Sequence, residues 1–189
     1  MKTQSTQVLQ KSILKAFPGS FAQTLSEALF LFFTGVLAMA LHAKLRIPMH
    51  LPGKQGLLFM FIVIGASLLS KFRFSTLLVT TGAASLLLTG FGGFEDPFMP
   101  VHYLLLGFAM DLLLSFKKEI SINPLFVAVA GGLSFSVIPL SRALLSLGSG
   151  IPYPSLMNGI LIPWSTHFLF GFSGSLLAVL AVKTLTKKA

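Results

Sequence analysis

An ionisable side chain inside an apolar stretch is costly in lipid, so it must face protein or water, and it is the first place to look for chemistry. Asp111 is such a residue, in Gly107-Phe108-Ala109-Met110-Asp111-Leu112-Leu113. At about 1.5 Å per helical residue counted from Met99, it falls near the middle of an expected span. His167 has a similar expected depth in the last apolar stretch, and Arg142 approaches from one end of the stretch before it. A cluster of Asp111 with His167 or Arg142 would offset the desolvation of each group. Two uses stay open: the polar base of a binding pocket or proton-linked site, or a structural contact that locks helices together.

A second group sits between the first two apolar stretches, in Lys44-Leu45-Arg46-Ile47-Pro48-Met49-His50-Leu51-Pro52-Gly53-Lys54-Gln55-Gly56. Proline fixes backbone angles and glycine permits close approach, so this loop reads as shaped. With His50 and Lys54 it could close over a small anion; the alternative is an ordinary turn whose basic side chains snorkel to the headgroups. Trp164, Tyr103 and Tyr153 lie near expected span ends, where an aromatic belt alone would account for them. Asn158 and Pro163-Trp164-Ser165-Thr166 make the start of the last span polar and kinkable, which suits a pocket wall. His50, His102 and His167 have no i,i+4 partner and no cysteine to assist them, so neither a metal nor another cofactor is expected. There is no glycine-rich phosphate loop, no GxSxG and no HExxH, and nothing selects a serine to join His167 and Asp111 in a triad; an enzyme is not expected.

The elements that must position these residues are membrane helices. Of 189 residues, 54% are hydrophobic and 10% charged, whereas a soluble domain carries about a quarter charged residues. Net charge is +9, but the basic residues form short blocks between apolar runs, as in loops facing anionic lipid. No basic helix with interleaved aromatics appears, so nucleic acid is not an expected partner. The absence of cysteine excludes disulfides and thiolate chemistry. Lys2, Lys11 and Lys15 followed by an apolar stretch to Ala38-Met39-Ala40 loosely match a secretory leader. That leader is long and the rest of the chain is itself apolar, so an uncleaved first span is expected.

The pattern predicts an all-α, polytopic membrane bundle of about six transmembrane helices with an amphipathic interfacial helix at the N-terminus. Leu9, Ile13 and Phe17 recur at helical spacing beside Lys11 and Lys15, which predicts that helix over 5–17. Spans are expected at Gln23–Leu45, Gly56–Ser70, Phe74–Phe91, Met99–Phe116, Pro124–Leu147 with Pro139 inside, and Leu156–Val182, near the ~20 residues a bilayer requires. Thr24 and Glu27 have capping-box spacing, which predicts a helix start there. The organisation is therefore an N-terminal segment 1–22, one transmembrane domain 23–182 and a basic tail 183–189. Placing both termini in the cytoplasm puts Lys2, Lys11, Lys15, Lys71, Arg73, Lys117, Lys118, Lys183, Lys187 and Lys188 inside, against Lys44, Arg46, Lys54 and Arg142 outside. That asymmetry favours a multi-pass protein of the cell membrane with cytoplasmic termini.

Ala40-Leu41-His42-Ala43-Lys44-Leu45-Arg46-Ile47-Pro48, then Gly65-Ala66-Ser67-Leu68-Leu69, then Tyr103-Leu104-Leu105-Leu106-Gly107-Phe108 resemble, in order and spacing, the S-components of energy-coupling factor transporters, in layout closest to the biotin-type members. The resemblance implies a substrate-capturing membrane subunit for a vitamin or other small solute. Its first outer loop would cap a pocket in the outer halves of spans four to six, and its partners would be a coupling membrane subunit and ATPase subunits. The chain departs from that family in having no strict Ala-x-x-x-Ala in the first span, where Ala28, Gly35, Ala38, Ala40 and Ala43 are the small residues, and His50-Leu51-Pro52-Gly53-Lys54 differs from the biotin-type loop. A small scaffold or assembly protein of the same span count, with no small-molecule ligand, is the alternative expectation. On the capturing reading the solute would meet Asp111, His167, Arg142, His50, Lys54, Tyr103, Asn158 and Trp164.

Overall fold

The computed structural model describes residues 19–45, 48, 51–93, 96–115, 123–157 and 159–186. Among them the chain is helical: α1 (Gly19–Lys44), α2 (Gly56–Leu69), α3 (Ser75–Leu88), α4 (Met99–Ser115), α5 (Pro124–Phe135), α6 (Val137–Ser149) and α7 (Leu161–Thr186), with a 3-10 turn at Pro154–Leu156. Three segments, Phe21–Lys44, Pro124–Ser149 and Leu161–Leu185, are long and apolar enough to cross a bilayer, and α2, α3 and α4 are shorter apolar helices. This is a helical membrane bundle. The expected interfacial helix over 5–17 lies outside the described residues.

The chain divides into two compact units, Met1–Phe30 and Leu31–Ala189. In the first, the described part is the beginning of α1, where Phe21, Leu25, Leu29 and Phe30 are exposed. The second unit holds the rest of α1 and helices α2 to α7.

Local signals set several helix ends. Asn123 accepts a hydrogen bond from the Leu125 N–H at 3.0 Å and Pro124 occupies the first turn, a cap and a preset φ at the two positions that favour them. Gly150 takes the left-handed conformation that closes α6, as glycine does past a helix terminus. Other ends differ from expectation. Helix α1 already runs from Gly19, so Thr24 and Glu27 lie within it and do not mark its start. Helix α3 stops at Leu88 and α7 begins only at Leu161, because Gly90 and Gly159 adopt positive φ. Helix α7 also continues through Lys183 to Thr186, into the expected tail.

The fifth span is two helices separated at Ser136. Pro139 has no N–H to give the Phe135 carbonyl four residues before it, and its ring crowds that carbonyl, which breaks an α-helix at this point. The Ser136 hydroxyl donates back to the Gly132 carbonyl of α5 at 2.8 Å.

Packing rests on small residues. A Cβ at Gly35 would strike the Val79 carbonyl and one at Gly82 the Phe32 carbonyl, so α1 and α3 cross backbone to backbone. Helices α5 and α7 also approach closely, with Gly131 against the Ser175 side chain and Gly132 against the Phe168 ring. Lipid gives apolar faces no reason to avoid it, so close van der Waals packing of this kind is what holds membrane helices together. Phe59, Met60, Ile64, Tyr103, Leu106, Met110 and Phe135 fill the centre, while Leu105, Phe108 and Leu112 on α4 and Leu169, Leu177 and Leu180 on α7 face outward. The bundle has an upper end, where the described residues 51–55, 89–93, 96–98 and 150–157 lie, and a lower end, where 70–74 joins α2 to α3.

Candidate functional site

At the upper end, Leu51-Pro52-Gly53-Lys54-Gln55 forms a turn closed by a 2.8 Å hydrogen bond from the Gly56 N–H to the Gly53 carbonyl. The Gln55 amide donates to the Leu45 carbonyl at 3.2 Å and ties the turn to the end of α1. Gly53 has φ +75°, and a Cβ there would lie under 3 Å from the His167 ring. Glycine is needed twice over, for the backbone conformation and for the contact. The turn therefore rests directly on the imidazole of α7.

Beneath it is a cavity of about 330 Å³, walled by His42 of α1, Met99 and Tyr103 of α4, Phe135 of α5, Ile138 and Arg142 of α6, His167 of α7, Ser155 and the turn itself. That is within the range of small-molecule pockets. The imidazoles are held firmly. His167 Nδ1 lies 2.7 Å from the Pro163 carbonyl, which requires the proton on Nδ1 and leaves Nε2 as the acceptor. Its ring stacks on Phe135 at 5.0 Å. The Tyr103 hydroxyl is 3.3 Å from His42 Nε2, and Phe59 packs edge-on against both rings, at 5.7 Å from His42 and 4.9 Å from Tyr103. Among the described residues, two cationic side chains, Arg142 and Lys54, line the cavity and no carboxylate does.

Arg142 is positioned by a polar cluster at the rim. Its Nε and Nη2 both lie 3.1 Å from Asp96 Oδ2. Asp96 Oδ1 accepts from the Phe98 N–H at 3.0 Å and from the Tyr153 hydroxyl at 3.4 Å. The Arg142 guanidinium also stands 5.6 Å from the centre of the Tyr153 ring. Burial, then the Asp96 carboxylate, push the Tyr153 hydroxyl above its ordinary range, so it keeps its proton and remains a donor. Below, His102 Nδ1 meets the Ser141 hydroxyl at 2.8 Å. Its Nε2 stands 3.6 Å from Asp96 Oδ2, within reach of an ion pair but too far for a hydrogen bond.

Of the residues singled out from the sequence, His167, Arg142, Tyr103 and Lys54 share this cavity. His50 and Asn158 lie outside the described residues. Trp164 does not line the cavity; it is 38% exposed and stacks on Phe168 at 6.2 Å. Tyr103 is 1% exposed and Tyr153 9%, so neither belongs to an aromatic belt.

Asp111 is the principal correction. It does not join His167 or Arg142. It sits at the lower end, where Oδ1 accepts from the Thr76 N–H at 3.1 Å and Oδ2 from the Leu77 N–H at 2.7 Å. The carboxylate caps α3 from a neighbouring helix, satisfying two N–H groups that begin a helix without partners and meeting its positive dipole end. Counting residues from Met99 does not show that the start of α3 lies beside Asp111 and takes its carboxylate. Arg142 takes its carboxylate from Asp96 instead.

His42 and Asp96 were missed as site residues. His42 is an imidazole near the end of an apolar helix, and the cost of placing it there was a signal of the same kind as Asp111. Nothing in the spacing of Asp96 points to Arg142, 46 positions away. No protein-family model matches the chain, and no curated protein or solved structure does either.

Proposed function

We propose that this chain is a multi-pass membrane subunit that captures a small organic anion, in the manner of the S-components of energy-coupling factor transporters. One observation carries the reading: the Gly53 turn rests on His167 above a cavity that holds Arg142 and Lys54 and no acidic side chain among the described residues. A buried anion needs a cation and hydrogen-bond donors in place of water. Phe135, Ile138 and Met99 supply apolar wall for the body of such a solute, as small-molecule sites do around a few polar groups. The cavity lies among the fourth to sixth apolar segments and beneath the loop after the first, the arrangement that the resemblance implies.

On this reading both termini are cytoplasmic, the upper end faces away from the cytoplasm, and a coupling membrane subunit with ATPase subunits drives release of the solute. The test is binding by purified protein, in detergent, of a panel of vitamins and related carboxylates, followed by thermal shift and calorimetry. At least one carboxylate is expected to bind, with affinity lost in Arg142→Ala. Absence of binding across the panel overturns the proposal and leaves the scaffold reading, in which substitution of Lys54 or His167 disturbs partner capture and no uptake.

A further inference from the structure

The lower end holds a second, larger cavity of about 480 Å³ between the end of α2, the start of α3 and Asp111, Leu114 and Ser115 of α4. Its wall carries Lys71, Arg73 and Asp111 together with Leu68, Phe72 and Leu114. We propose that this cavity binds the phosphate headgroup of an anionic glycerophospholipid, with Lys71 and Arg73 on the phosphate and the acyl chains leaving over the apolar residues.

Charge is the first argument. Among the described residues that line it are two cations and one carboxylate, and that carboxylate is already engaged: each Asp111 oxygen accepts an N–H from the start of α3. Its negative charge is met by the helix terminus. Arginine presents a planar set of donors that matches phosphate oxygens, and lysine adds a point charge. Position is the second. The cavity lies where α2 ends and α3 begins, the depth of headgroups in a bundle of this kind, and basic pockets between membrane helices take anionic headgroups.

A lipid rather than a soluble phosphate is indicated by the surroundings. Leu69, Phe74 and Leu112 are 58%, 49% and 47% exposed, and they belong to the same helix ends as the cavity. A soluble anion would gain nothing from that apolar border, whereas acyl chains would lie along it. On the orientation proposed above, the site falls in the cytoplasmic leaflet, where anionic lipid is concentrated. The inference does not depend on solute capture at the upper end.

The test is native mass spectrometry of the purified full chain, delipidated in detergent and titrated with phosphatidylglycerol, phosphatidylethanolamine or inorganic phosphate. Phosphatidylglycerol is expected to be retained in preference to phosphatidylethanolamine. Neutralising one cation, Lys71→Gln or Arg73→Gln, should weaken retention about fivefold, and the pair about thirtyfold. Both residues are exposed, so these variants should keep their fold. Leu114→Trp, which fills the cavity and keeps both cations, should also lose the lipid. Equal retention of the two lipids, or retention unchanged in the double variant or in Leu114→Trp, overturns the proposal in favour of adventitious annular lipid. Displacement of phosphatidylglycerol by millimolar inorganic phosphate overturns it in favour of a soluble-anion site.

Discussion

Asp96→Asn tests the rim cluster at its centre. The substitution keeps the shape of the side chain and an oxygen for the Phe98 N–H, but removes the charge that holds Arg142 through two contacts at 3.1 Å. The side chains of Asp96 and Arg142 are 14% and 17% exposed, between the fully exposed and the fully buried case. Exposed pairs contribute about 0–1 kcal/mol, and breaking a buried pair costs about 3–5 kcal/mol. A loss of about 2 kcal/mol is therefore expected for Asp96→Asn. In a double-mutant cycle with Arg142→Met, read by reversible unfolding in mixed micelles, most of that loss should appear as coupling between the two sites. If solute capture operates as proposed, the same Asp96→Asn protein should bind a carboxylate solute more tightly, because Arg142 no longer divides its donors between Asp96 and the ligand. Lower stability with higher affinity is the expected signature. A coupling below about 0.5 kcal/mol, the level of ordinary surface ion pairs, would refute the claim that Asp96 positions Arg142.

Three further outcomes are expected. Gly82→Ala should destabilise the bundle by about 1–3 kcal/mol, as overpacking does, because its Cβ meets the Phe32 backbone carbonyl; Gly65→Ala, with nothing within 4 Å, should be neutral or slightly stabilising in the same unfolding assay. Gly53→Ala should abolish carboxylate binding in the thermal-shift panel while leaving the circular dichroism of the helices unchanged, since it strains only the turn over His167. Asp111→Ala should cost about 1–2 kcal/mol, the range for losing a helix N-cap, and Asp111→Asn should recover part of that; an unfolding midpoint unmoved by Asp111→Ala would contradict the capping role.

Much of the architecture could be read from composition and apolar run length, because crossing lipid demands long apolar helices whatever their neighbours are. The ends were less legible. Pro139 was visible inside the fifth span, but that it severs the helix at Ser136 depends on the carbonyl four residues earlier, which span-counting does not weigh. The shaped loop was legible from Pro52 and Gly53, since their backbone restrictions are local. Asp111 marks where such reasoning stops. Its expense in lipid was correctly recognised, but whether it is met by a histidine, an arginine or a helix terminus is decided by which helix lies alongside. That partner, the start of α3, is 35 residues earlier in sequence. The Asp96–Arg142 pair was obscured for the same reason.

The severed helix also bears on how the protein is made. Hydropathy, not helical continuity, governs whether a nascent segment partitions into the bilayer, and Pro124–Ser149 has 26 residues at mean hydropathy 1.7. The stretch can thus be threaded into lipid as a single rod-length unit during biogenesis. Phe135 and Ile138, one on each side of Ser136, then line the same recess. A proline that makes little difference to insertion thus sits within the segment that walls the finished interior.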